Sequence, residues 1–156
     1  MESWTQLDHV DKIFILWAFL LLLLLIVHFS IRKVFFSRYT LRFGWIVYAL
    51  CIPAVAVSLL MIQAGRDWSF WLGGFLFLGF AIFGYLVDYR YKFQFRKPFK
   101  PSIGIPYVLM YLAAIMFYWW PLTLIRRPLW YVYATLFIIS TMLNVTSHKN
   151  PAMKRN

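Results

Sequence analysis

Phe19-Leu20-Leu21-Leu22-Leu23-Leu24-Leu25-Ile26-Val27 is an unbroken lipid-soluble run, and the charge-free block around it covers residues 13–30. A helix rises about 1.5 Å per residue, so crossing roughly 30 Å of hydrocarbon takes about 20 predominantly apolar residues. Further blocks of this kind occupy residues 43–63, 68–87, 105–125 and 129–145. In a chain of 156 residues that is 63% hydrophobic and 13% charged, no water-soluble fold accommodates so many. The sequence predicts an all-α, polytopic transmembrane bundle forming one domain over residues 1–156. Helices are required because backbone amides in lipid must be satisfied within each segment. A transmembrane barrel is disfavoured, since the blocks are continuous rather than alternating and exceed strands of about 10 residues.

The first block reads as a retained helix rather than a secretion signal. Acidic Glu2, Asp8 and Asp11 precede it where a signal carries basic residues. The last block is the shortest, and Pro121 interrupts the one before it, so four spans plus a re-entrant or interfacial helix is the competing arrangement. Five spans are preferred because Arg126-Arg127-Pro128 reads as a tight turn, with Pro128 in a first helical turn where its missing N–H costs nothing. Pro121 frees the carbonyl of Phe117, and Pro53 in the second block predicts another kink.

Charge distribution supplies a direction. Of the 16 Lys and Arg residues, five spans place twelve on one side: Arg32, Lys33, Arg38, Arg42, Arg90, Lys92, Arg96, Lys97, Lys100, Lys149, Lys154 and Arg155. The other side receives Lys12, Arg66, Arg126 and Arg127, with Glu2, Asp8, Asp11 and Asp67. Basic loops remain cytoplasmic. The N-terminus is therefore expected outside and the C-terminus in the cytoplasm of a cell membrane, read as a bacterial cytoplasmic membrane. The net charge of +11 falls between apolar blocks rather than on a soluble domain, which argues against nucleic acid as a partner.

On the third block, Gly73, Gly74, Ala81, Gly84 and Asp88 fall within about a 100° arc of a helix. Small residues on one face let a neighbouring backbone approach closely, so the plain reading is a packing seam ending in an aspartate paired with Arg90 or Lys92. The sharper one is a proton or ion site, since Asp88 is the only acid expected on the inner side. On the outer side, Arg66, Trp120, Arg126, Arg127 and Trp130 form a candidate site for lipid or another anion. Guanidinium groups suit phosphate and carboxylate, although tryptophans populate membrane interfaces in any case. Anionic lipid headgroups, or an intramolecular pairing with Asp8 and Asp11, are preferred to a substrate. Arg90-Tyr91-Lys92-Phe93-Gln94-Phe95-Arg96-Lys97 fits a segment lying on an anionic leaflet.

His28 and His148 end up on the same side and form a minor candidate pair of axial haem ligands. No metal motif is present, and the single Cys51 excludes an internal disulfide. No cofactor is predicted, although the composition leaves room for a haem or pigment. No nucleophile–base pair, paired carboxylate or phosphate loop is visible, so the reading leans away from an enzyme. What remains is a binding or accessory-subunit role, holding a lipid, a lipophilic ligand or a partner membrane subunit. A lipid-modifying enzyme, or a transporter or channel formed by homo-oligomerisation, is the alternative.

Overall fold

The computed structural model describes residues 7–35, 42–93 and 100–147. Among them are five helices long and apolar enough to cross a membrane: α1 (His9–Val34), α2 (Ile46–Gln63), α3 (Trp68–Arg90), α4 (Pro101–Ile125) and α5 (Arg127–Ser147). All but α2 start or end beyond the apolar block that announces them; α2 begins three residues inside its block and ends with it. Charged residues such as Lys12, Arg32 and Arg90 continue the helical backbone, because composition marks the hydrocarbon-compatible part while the hydrogen-bond ladder runs on past it. The shortest block thus becomes a 21-residue helix of about 31 Å, sufficient for a full crossing.

The helices pack in a closed order. Helix α3 lies between α2 and α4, α5 lies between α4 and α1, and α1 closes back on α2 and touches α4. Phe14, Ala18, Leu21, Leu22 and Leu25 of α1 are fully buried, as are Phe77 of α3, Ala114, Ile115 and Leu122 of α4, and Tyr133 of α5. Helix α5 is the most peripheral, exposing Tyr131, Val132, Ile138, Ile139, Met142 and Val145. It nevertheless follows the length of its neighbours. Trp119 donates its indole N–H to the Trp130 carbonyl (3.0 Å) at one end, and Arg32 grips Asn144 and Ser147 at the other.

Prolines and a glycine shape the connections. In α2 the Leu50 N–H bonds the Ile46 carbonyl and the Leu50 carbonyl accepts from Ala54 N–H (both 3.2 Å), while Pro53 has no N–H to give the Ala49 carbonyl, so the helix loses one rung there and runs on to Gln63. Pro121 is accommodated inside α4, which continues to Ile125. A single extended residue, Arg126 (φ −159°, ψ 125°), separates α4 from α5, and Pro128 is the second residue of α5. Between α2 and α3, Gly65 adopts φ +66°, with Gly65 N–H bonded to the Ile62 carbonyl and Arg66 N–H to the Met61 carbonyl (both 3.0 Å). This is a Schellman closure, which needs a left-handed residue and so favours glycine. It turns the chain back and presents Arg66 to α1.

Candidate functional site

The glycine-bearing face of α3 lies against two neighbours, α2 and α4. Gly73, Gly74, Ala81 and Gly84 are all buried. A Cβ on Gly74 would land on Ser58 Oγ and 2.5 Å from the Ala54 carbonyl oxygen, so α2 and α3 meet there almost backbone to backbone. A Cβ on Gly73 would stand 3.3 Å from the backbone carbon of Phe117, whose carbonyl Pro121 leaves without a helical donor. One turn before Asp88, a Cβ on Gly84 would lie 2.5 Å from Tyr48 Cε1. Gly84 is the seat of a tyrosine ring.

That ring connects the seam to the acid. Tyr48 donates its hydroxyl to Asp88 Oδ2 at 2.6 Å and lies 3.1 Å from the Tyr107 hydroxyl of α4. Phe80 packs against both tyrosines, with ring centroids 6.0 and 5.1 Å away, and Tyr89 stands edge-on to Tyr48 at 6.0 Å. Asp88 is thus only partly exposed. It sits in a π-helical turn, Leu86–Arg90, closed by Tyr91 N–H to the Leu86 carbonyl at 2.8 Å. Such wide turns are uncommon and recur at functional positions. The expected partners Arg90 and Lys92 are exposed. The bond from Tyr48 had no sequence signal, because it crosses 40 positions and depends on the notch at Gly84.

On the other flank of the same end, Arg32 donates to Ser147 Oγ from Nε (3.0 Å) and Nη2 (2.7 Å). Nη2 also reaches Asn144 Oδ1 (2.5 Å) and the Asn144 carbonyl (3.3 Å). Its guanidinium carbon rests 4.8 Å above the Phe29 ring. A cation at the C-terminal turn of α5 meets carbonyls that lack intrahelical donors, and a planar fork suits several acceptors at once. The orientation count treats Arg32 as a loop charge; the fold makes it the clasp between α1 and α5. His28, one turn earlier, is buried and edge-on to Phe29 at 5.6 Å. His148 lies outside the described residues, as do Gln94 to Lys97. Among the described residues, no group of three or more His, Cys, Asp and Glu side chains is arranged to hold a metal ion.

At the opposite end, Arg66 takes the role considered for the arginine pair. Its Nη2 lies 3.1 Å from Asp8 and 2.8 Å from Asp11, tying the α2–α3 turn to the start of α1. Trp119 and Trp130 stack at 4.7 Å, while exposed Trp120 packs on Trp68 (6.2 Å) and Phe117 (6.3 Å). Arg126 is half-buried. Arg127 is exposed, and with Thr123, Trp130 and Tyr131 it lines a shallow surface groove. The five residues predicted as one anion site therefore divide. Arg66 belongs to the acidic start of α1, while Arg127 and Trp130 share the groove. Comparison of the chain with protein-family models, curated proteins and solved structures finds no match.

Proposed function

We propose that this chain is a binding or accessory membrane protein, and that the groove at the α4–α5 turn takes an anionic lipid headgroup. The carrying observation is the arrangement of Arg127: an exposed guanidinium flanked by Trp130 and Tyr131, at the start of α5, whose exposed side is apolar. A guanidinium matches phosphate oxygens, aromatic rings suit the headgroup level, and an apolar helix beside them accepts acyl chains. The use made of the other polar groups also supports the reading. Arg32, Arg66, Asp88, Trp17 and Trp119 all serve as ties between helices.

The orientation with the N-terminus outside follows from the charge count alone and belongs to the same proposal. Single cysteines introduced at Arg127 and Lys100 in a Cys51→Ser background, probed with an impermeant thiol reagent on intact cells, test it. Labelling of position 127 and protection of position 100 is expected; the reverse pattern overturns it. For the lipid, native mass spectrometry after mild-detergent purification should show a retained anionic phospholipid that Arg126→Gln/Arg127→Gln loses. Equal retention by both proteins, or a lone protomer without lipid or partner, defeats the reading.

A further inference from the structure

Helix α3 leaves its span through a strained residue. Lys92 has φ +51°, in the left-handed region, and is the one non-glycine residue there among the described residues. At the corresponding place after α2 the chain uses Gly65, for which that region carries no steric cost. A left-handed residue lets the last amides of a helix fold back. Here Phe93 N–H reaches the Val87 carbonyl at 2.9 Å, a Schellman-like closure widened by one residue by the π-helical turn before it. The lysine Cβ disfavours this conformation, and such strain clusters at ligand clamps and switch regions. The closure leaves Arg90, Tyr91, Lys92 and Phe93 all exposed, so cation and ring alternate along four residues. Tyr91 and Phe93 stack on each other, with centroids 5.7 Å apart and planes at 28°, while remaining 63% and 48% exposed. Neither cation takes part in the ion pairs of the described residues, both of which belong to Arg66. The acid two residues before Arg90, Asp88, already accepts the bond from Tyr48 of α2.

Depth decides what these groups meet. The apolar block of α3 ends at Val87, and Arg90 lies within about 5 Å of that level along the helix. The headgroup layer is roughly 5–7 Å thick on each side of the hydrocarbon, so a block that fills the hydrocarbon sets the turn among the headgroups. There amphipathic rings are stable, and a guanidinium and an ammonium meet phosphate oxygens. Ile82, Tyr85 and Leu86, all exposed, continue the surface along one side of α3 toward the middle of the span. Two cations beside a single acid that is already bonded favour a headgroup of net negative charge. We propose that Arg90, Tyr91, Lys92 and Phe93 bind an anionic phospholipid at the end of the bundle opposite the Arg127 groove. Its phosphate lies on the two cations, its glycerol region against the ring pair, and an acyl chain along Ile82 and Leu86. The left-handed turn brings the rings together, and lysine stands there in place of glycine because the site uses its charge. This site is separate from the α4–α5 groove and does not rest on it.

The test uses the full-length protein in phosphatidylcholine nanodiscs carrying a trace of photoactivatable phosphatidylglycerol, with crosslinks located by peptide mass spectrometry. Wild type should crosslink within residues 86–93, and unlabelled phosphatidylglycerol, but not further phosphatidylcholine, should compete. A cation near a membrane surface contributes about fivefold in affinity for anionic lipid. Arg90→Gln/Lys92→Gln should therefore lower crosslinking at this end by about 20-fold, while Arg127→Gln leaves it unchanged. Lys92→Gly separates the charge from the strain. In phosphatidylcholine alone it should melt about 2–4 °C above wild type, yet crosslink about fivefold less. Crosslinks that form equally well from a photoactivatable phosphatidylcholine, that survive the double substitution, or that are absent overturn the proposal. So does protection of the same residues by a co-purified protein. A Lys92→Gly protein that melts no higher than wild type overturns the role given to Lys92. The crosslinking with wild type decides for or against the lipid even if a variant fails to fold.

Discussion

Substituting Gly84 by alanine should disturb the Asp88 site without touching Asp88. The new methyl group would lie 2.5 Å from Tyr48 Cε1, 3.0 Å from Cζ and 3.1 Å from the hydroxyl oxygen. Ordinary carbon contacts begin near 3.5 Å, so the ring must retreat by about 1 Å. Overpacking of this kind costs about 1–3 kcal/mol. A retreat of that size also stretches the 2.6 Å bond to the Asp88 carboxylate, a charge-assisted bond worth about 1.5–3 kcal/mol. Relief of glycine's helix penalty offsets about 1 kcal/mol. The net loss is roughly 2–4 kcal/mol, a fall of about 5–10 °C in melting temperature for a chain of this size. Eight tryptophans make intrinsic-fluorescence melting in micelles a suitable assay. A double-mutant cycle separates the two contributions. In a Tyr48→Phe background the clash persists but the hydrogen bond is already gone, so Gly84→Ala should cost about half as much. In a Tyr48→Ala background the ring is absent, and Gly84→Ala should be neutral or stabilising. If Gly84→Ala is neutral in the wild-type background, the glycine is not the seat of Tyr48 and the reasoning fails.

Three further outcomes follow from the same geometry. Gly74→Ala should be more damaging than Gly84→Ala, because its methyl meets the Ala54 carbonyl, which cannot rotate away; Ser58→Ala should rescue it only in part, as read by the same melts. Arg32→Lys, which keeps the charge and loses the fork, should speed amide hydrogen exchange over residues 140–147, while exchange in α2 and α3 stays unchanged; uniform acceleration would argue against a clasp local to α5. The Arg66–Asp11 pair is partly solvated, so Asp11→Asn should cost less than about 1 kcal/mol and become indistinguishable from wild type in high salt. A loss that persists in salt would mean that the contact acts through packing.

The positions of the helices, and the need for them to be helices, follow from residue order alone. Hydrocarbon cannot hydrogen-bond a backbone, so a charge-free block such as 13–30 has one solution in lipid. The small-residue face of α3 is equally visible, because helical periodicity depends only on spacing along one chain. Which side chain fills a notch is a different matter. That Tyr48 occupies Gly84, and that Arg66 rather than Arg126 or Arg127 meets Asp8 and Asp11, are relations between segments far apart in sequence. No local pattern encodes them.

Tyrosine shows the division most clearly. In the sequence, Tyr48, Tyr107, Tyr111, Tyr118 and Tyr133 count as aromatic bulk, and the span interiors offer little polarity beyond a few Ser and Thr hydroxyls. Packing brings hydroxyls from separate blocks to polar atoms of other helices: Tyr118 of α4 meets Trp17 of α1, and Tyr48 of α2 meets Tyr107 of α4 and Asp88 of α3. The apolar blocks determined that this chain forms five helices long and apolar enough to cross a membrane, through the solvation of the backbone. Only the tertiary structure decided where its few polar atoms meet, because that depends on the rotation of each helix about its axis, which lipid leaves free and neighbouring side chains fix.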